Sequence, residues 1–166
     1  MSEKHAIIIL AAGSSSRMGQ SKQMLTIQGE SLLHRTARIA FESKPDDVIV
    51  VLGANESAYR APLKDLPIHF VSNPGWPNGI GSSIKEGLRW LIRNKNETEL
   101  VLFMVCDQPL VTSIHLAELV RKHLSTGKPV IASFYANTPG VPVLFHRSLF
   151  DRILSLKDSE GAKKII

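Results

Sequence analysis

An apolar run, Ala6-Ile7-Ile8-Ile9-Leu10, breaks off directly into a small, polar, cation-bearing stretch that runs from Ala11 to Lys22. A short run apolar at every position reads as a central strand of a mostly parallel sheet, covered on both faces by helices. Glycine, serine and two cations come directly after it. Gly13, Ser14 and Ser15 let backbone N–H groups face an anion without Cβ obstruction, and Arg17 and Lys22 bring the positive charge that a polyphosphate needs. The stretch is neither Gly-x-x-x-x-Gly-Lys-Ser/Thr nor Gly-x-Gly-x-x-Gly, which excludes the two commonest phosphate loops. The chemistry indicated is nucleotide binding through a different loop; the alternative is a polar turn whose Arg17 and Lys22 are merely solvated.

Further strands are expected at Val48 to Leu52, Ile68 to Val71, Leu100 to Cys106 and Pro129 to Ser133, with the first and fourth of the five strands central. Helical spacing fills the gaps between them, giving an α/β/α sandwich with a mostly parallel sheet. Ser31 caps a segment that turns Leu32, Leu33, Thr36, Ile39 and Ala40 inward. Ser83 and Glu86 read as a capping box before Ile84, Leu88, Leu91 and Ile92. A third helix starts near Ser113, with Ile114, Ala117, Val120 and Leu124 inward, and ends at Gly127-Lys128-Pro129.

The strand ending Val105-Cys106 stops at Asp107, followed by Gln108 and Pro109. Ligands of open α/β sheets bind beyond the carboxyl ends of strands, so Asp107 is expected in the same crevice as the loop at 11–22. Magnesium, which takes one or two carboxylates together with phosphate oxygens and waters, is its natural partner; the other reading of Asp107 is a turn cap before Leu110. Cys106 reads as a small buried hydrophobe rather than a nucleophile. The histidines at 5, 34, 69, 115, 123 and 146 form no pair at metal-ligand spacing, so zinc is not expected. From Asn73 to Ser83 a glycine-rich loop leads into a helix N-terminus, where Asn73, Gly79, Gly81, Ser82 and Ser83 are candidates to meet a nucleotide.

With 43% hydrophobic residues in 166, the chain supports one sizeable core. Its net charge of +5 is dispersed rather than gathered in a stripe, which suits small anions and argues against nucleic acid. A single cysteine permits no internal disulfide, and the sequence shows no signal segment and no apolar run of membrane-spanning length; the cytoplasm is the expected location and a membrane is not an expected partner.

Read as a whole, Leu10-Ala11-Ala12-Gly13, Arg17-Met18-Gly19 and Lys22 resemble the N-terminal signature of nucleotidyltransferases. Val105 to Pro109, Asn73 to Ser83, Gly140-Val141-Pro142-Val143-Leu144-Phe145 and Gly161-Ala162-Lys163 extend the resemblance to the molybdenum-cofactor nucleotidyltransferases, most of all their cytidylyltransferase branch, over most of the chain. The resemblance implies a Rossmann-like fold of the glycosyltransferase-A type, one nucleotidyltransferase domain over 1–166, and transfer of CMP from CTP to the phosphate of the molybdopterin cofactor. In that scheme Arg17 and Lys22 grip the β and γ phosphates and Asp107 holds Mg2+ at the α phosphate. Leu10 to Gly13 with Ser14 and Ser15 receive the nucleotide, and Gln108, Pro109, Gly140 and Pro142 lie near the acceptor. A molybdenum hydroxylase is the expected client. The family's further strand, with an Asp-x-Asp-Thr-Pro motif, has no counterpart before Ile166, so the domain is expected to lack the family's C-terminal strand and helix. Other readings are a guanylyltransferase of the same cofactor, a methylerythritol-phosphate or sugar-phosphate nucleotidyltransferase, and a non-catalytic cofactor-binding accessory protein.

Overall fold

The computed structural model describes residues 3–13 and 22–166. Eight strands and five α-helices make up the described chain. The strands are β1 (His5–Leu10), β2 (Thr26–Ile27), β3 (Glu30–Ser31), β4 (Asp47–Leu52), β5 (His69–Ser72), β6 (Leu100–Val105), β7 (Val130–Tyr135) and β8 (Thr138–His146). The helices are α1 (Leu32–Glu42), α2 (Glu56–Arg60), α3 (Ile80–Asn94), α4 (Ser113–Thr126) and α5 (Phe150–Leu154). Six strands form one sheet in the order β5-β4-β1-β6-β8-β7, with β1 and β6 at its centre as their unbroken apolar sequence requires. β4, β5 and β6 run parallel to β1; β8 is antiparallel to β6, and β7 is antiparallel to β8. The remaining pair, β2 and β3, makes a separate two-stranded hairpin.

Because successive strand residues face opposite ways, the sheet sorts its apolar residues into two cores. Ile7, Ile9, Val48, Val50, Leu100 and Leu102 pack under α1, α2 and α4. Ile8, Ile49, Val51, Val101, Phe103 and Phe145 pack under α3 and α5. The result is a three-layer α/β/α Rossmann-like fold of the glycosyltransferase-A type. Among the described residues no helix is long and apolar enough to cross a membrane.

The Ser31 cap is as expected: its side chain accepts the N–H of His34, and Leu32, Leu33, Thr36, Ile39 and Ala40 are buried. Two expectations need correction. α3 starts at Ile80, not after Ser83, and the Ser83 hydroxyl accepts from Asn73 Nδ2 instead of capping the helix. In α4 the inward residues are Leu116, Leu119 and His123, while Ile114, Ala117 and Leu124 are exposed. The hydrophobic pattern misplaces this face because its last buried member is a histidine, whose ring is bonded to the Lys128 carbonyl and to Glu3. The segment 140–145 belongs to an internal strand between β6 and β7. Its register jumps from Ala132↔Val143 to Ser133↔Gly140, so Val141 and Pro142 form a bulge, the place where a sheet tolerates a residue without an N–H.

Candidate active site

Leu10 pairs with Val105 across β1 and β6, so the residues leaving those two strands emerge side by side at their carboxyl ends. That is also where the sheet reverses its winding, with β4 on one side of β1 and β6 on the other. A cavity of about 290 Å³ opens there. One wall is Leu10, Ala12 and Gly13 from the end of β1; another is Val105, Cys106 and Asp107 from the end of β6. Gln23 and the entry to α3, with Trp76, Gly79, Ile80 and Ser83, complete it. The structure therefore brings Ala12 and Gly13, at the start of the first loop, together with Asp107. Ser14, Ser15 and Arg17 lie outside the described residues, as does the side chain of Lys22, whose backbone begins a short 3-10 turn.

Asp107 is exposed at the rim of this cavity. Among the described residues no three His, Cys, Asp or Glu side chains gather as a metal site. A carboxylate at the rim of an open cavity nevertheless fits magnesium, which takes one or two carboxylates and completes its shell with other oxygens and water. Cys106 is buried, and that burial pushes its thiol up to about 12, which leaves no thiolate for nucleophilic work at neutral pH.

The glycine-rich entry to α3 divides its labour. Asn73 is buried and fully committed inside the protein: its Nδ2 donates to the hydroxyls of Ser82 and Ser83 at 2.9 Å, and its Oδ1 accepts from Gly75 N–H at 3.0 Å. The Ser82 hydroxyl donates back to the Gly79 carbonyl. Gly81 meets protein rather than open space, since its N–H donates to the Asp158 carbonyl and a Cβ would lie 2.2 Å from the Lys157 oxygen. Gly79 and Ser83 line the cavity, whereas Asn73, Gly81 and Ser82 brace the loop behind it. Gly79 has the left-handed φ of 129° that glycine alone adopts readily, and a Cβ there would also strike the Asp158 carbonyl.

Next to Asp107 along the chain, Gln108 and Pro109 line a second cavity of about 550 Å³ with His115, Ser133, Tyr135 and Pro142. The bulge in β8 builds it. Carbonyls that the bulge removes from the ladder are taken up by side chains: Ser133 Oγ donates to the Pro142 oxygen at 2.6 Å, and both Tyr135 Oη and Gln108 Nε2 donate to the Val141 oxygen. Gln108 Nε2 also reaches Tyr135 Oη, and its Oε1 is buried without a hydrogen-bond partner among the described residues. Gly140 sits behind the wall, where a Cβ would come 3.2 Å from Tyr135 Oη. Asp107 of the first cavity and Gln108 of the second are consecutive in the chain.

Sequence reasoning assigns no role to Gln23, Trp76 or Ile80 in the first cavity, or to His115, Ser133, Phe134 or Tyr135 in the second. Trp76 has a signal. Its ring lies over Gly53, where a Cβ would be 2.5 Å away, so the tryptophan requires a glycine at the end of β4.

The MobA-like NTP transferase domain family matches residues 7–166. The chain is 30% identical over 172 aligned residues to the purine catabolism protein PucB of Bacillus subtilis, covering 96% of the chain and 78% of PucB. It is 34% identical over 104 residues to a probable molybdenum cofactor guanylyltransferase of Synechococcus elongatus, covering 63% of the chain but only half of that protein. In three dimensions it is similar to Rv0371c of Mycobacterium tuberculosis, with a TM-score of 0.82 and 26% identity over 99% of the chain and 82% of Rv0371c.

Proposed function

Since the chain belongs to the MobA-like NTP transferase family, a family of nucleotidyltransferases, we propose that it moves CMP from CTP to the phosphate of the molybdopterin cofactor and releases pyrophosphate. The observation that supports this reading is that consecutive residues, Asp107 and Gln108, line two different cavities. In this reading the first would take the nucleotide and the second the acceptor, with the carboxylate between them.

The acceptor is an ionised phosphate, so no strong base is needed. One of its oxygens attacks the α phosphorus, a new P–O bond forms, and the bond to the β phosphate breaks with its electrons leaving on pyrophosphate. The protein's work is to hold two mutually repelling anions in line and to offset the charge that builds on the leaving group. Arg17 and Lys22 would grip the outer phosphates, the Leu10 to Gly13 backbone and the start of α3 would hold the nucleoside, and Gln108, Pro109 and Pro142 would seat the acceptor. Mg2+ held by Asp107 would supply electrophilic neutralisation of the α phosphate oxygens.

Pyrophosphate release from CTP, GTP and ATP, each with and without the molybdopterin cofactor and with magnesium present or chelated, tests the proposal. Release from CTP that needs both cofactor and magnesium supports it. Release from GTP instead would favour guanylyl transfer, the reading that the Synechococcus relative's name suggests. Binding of the cofactor without release from any nucleotide would indicate a carrier that hands the cofactor to a molybdenum hydroxylase.

A further inference from the structure

Gln23 stands immediately after Lys22, at the downstream end of the cationic stretch, yet its side chain is bonded to the upstream end. It is only 7% exposed, and its Nε2 donates to the Gly13 carbonyl at 3.0 Å and to the Ala11 carbonyl at 3.4 Å. The carbonyl between them is also taken, because Ala54 N–H donates to the Ala12 oxygen at 3.1 Å. Every acceptor of the Ala11-Ala12-Gly13 turn is thus turned toward protein donors. A trans peptide holds its N–H opposite its C=O, so fixing the carbonyls of Ala11 and Ala12 aims the N–H groups of Ala12 and Gly13 the other way. Ala12, Gly13 and Gln23 all line the first cavity.

We propose that Gln23 is a positioning residue that fixes this turn as a presenter of N–H donors, and that it thereby sets which base the site prefers. The inference rests on the nucleotidyl-transfer reading above. A turn whose carbonyls are occupied offers donors alone, and the base edge that matches two neighbouring donors carries two neighbouring acceptors. Cytosine presents such an edge at O2 and N3. Guanine's corresponding edge has one acceptor beside two donors, and those donors find no free carbonyl in this turn.

The experiment measures CTP, GTP and tripolyphosphate binding by titration calorimetry in magnesium for the full chain and for Gln23→Met, which keeps the length of the side chain and removes its donors. The expected result is that the preference for CTP over GTP falls by about tenfold, the scale of one misdirected hydrogen bond, while tripolyphosphate affinity is unchanged. Equal weakening of CTP and GTP, with their ratio intact, would mean that Gln23 only stabilises the loop and would overturn the inference. Should Gln23→Met fail to fold, Gln23→Glu gives the same test. Its carboxyl donates only when protonated, so the preference should recover as the pH is lowered, and a preference independent of pH would overturn the proposal. Failure of the unaltered chain to bind either nucleotide would remove the functional reading itself, and the inference with it.

Discussion

The carboxyl ends of the strands enclose about 290 Å³ between Leu10, Trp76, Ile80 and one acidic side chain, Asp107, whereas the amino ends carry a larger cleft of about 420 Å³ walled by Lys4, Asp46, Asp47, Lys95 and Glu97. At the amino end the charges answer one another. Lys4 pairs with Glu97, Lys95 reaches Asp47 at 3.2 Å, His69 approaches the same carboxylate at 3.0 Å, and Asp46 accepts the His5 N–H. Arg147 closes that end further by donating to the carbonyls of Asn96 and Thr98. At the other end, apolar walls and glycine backbone surround an exposed carboxylate, and the next residue along the chain lines a second cavity of about 550 Å³. The distinction between the two ends is therefore chemical: paired charges at one, a carboxylate and glycine backbone sharing one rim at the other.

The sharpest way to break this contrast is to remove the carboxylate. Asp107→Asn should lower pyrophosphate release by about 100-fold or more while leaving the melting temperature in place, because the lost interaction is made to the reacting phosphates. A turnover close to that of the unaltered chain would take Asp107 out of the mechanism. Gly81→Ala should come next in size. Its Cβ has no room beside the Lys157 oxygen, so urea unfolding should show a loss of about 1–3 kcal/mol, together with a raised KM for the nucleotide as the first turn of α3 shifts.

A smaller effect is expected away from both ends, at His34. Burial opposes its charged form, but hydrogen bonds to Glu30 and Asp65 outweigh that and raise its pKa above the ordinary imidazole value. Glu30 moves the other way, held down to about 2 first by Arg38 and then by His34. The stability due to His34 should be complete below an ordinary imidazole pKa and fade as the pH rises through its folded value. The part due to Glu30 should be complete above an ordinary carboxyl pKa and fade as the pH falls toward about 2. Urea midpoints of the chain and of His34→Asn should thus converge with rising pH; a gap that does not narrow would disprove the linkage. The smallest effect belongs to the amino end, where Glu97→Gln should change neither activity nor melting temperature measurably, as for other exposed ion pairs. An activity loss there comparable with that of Asp107→Asn would erase the distinction between the two ends.

How far sequence reaches is governed by the same physics. β1, β4 and β6 are legible because unbroken apolar runs have few other uses, and Asp107 is legible because a carboxylate that ends such a run must face the crevice. β8 is harder. Pro139 and Pro142 argue against an internal strand, and only the register with β7 reveals the bulge that accommodates Val141 and Pro142. The buried face of α4 is misread because it ends in His123, a residue no hydrophobic pattern counts. Asn73 and Ser82 are legible as polar groups in the glycine-rich loop before α3, but which partners a polar group takes is not revealed by spacing. Gln23 is hidden for the same reason. Its partners are backbone carbonyls, which are alike in every sequence.

The close approach of Gly79 and Gly81 to the 157–160 backbone has a consequence for how this chain can change over time. A side chain at either glycine requires the distant segment to give way first, and a displacement of that segment removes the carbonyl of Asp158 from the N–H of Gly81. Substitutions in the two regions are therefore coupled: drift in 157–160, though it is far along the chain from the glycine-rich loop, is restricted by the wall of the cavity that it supports.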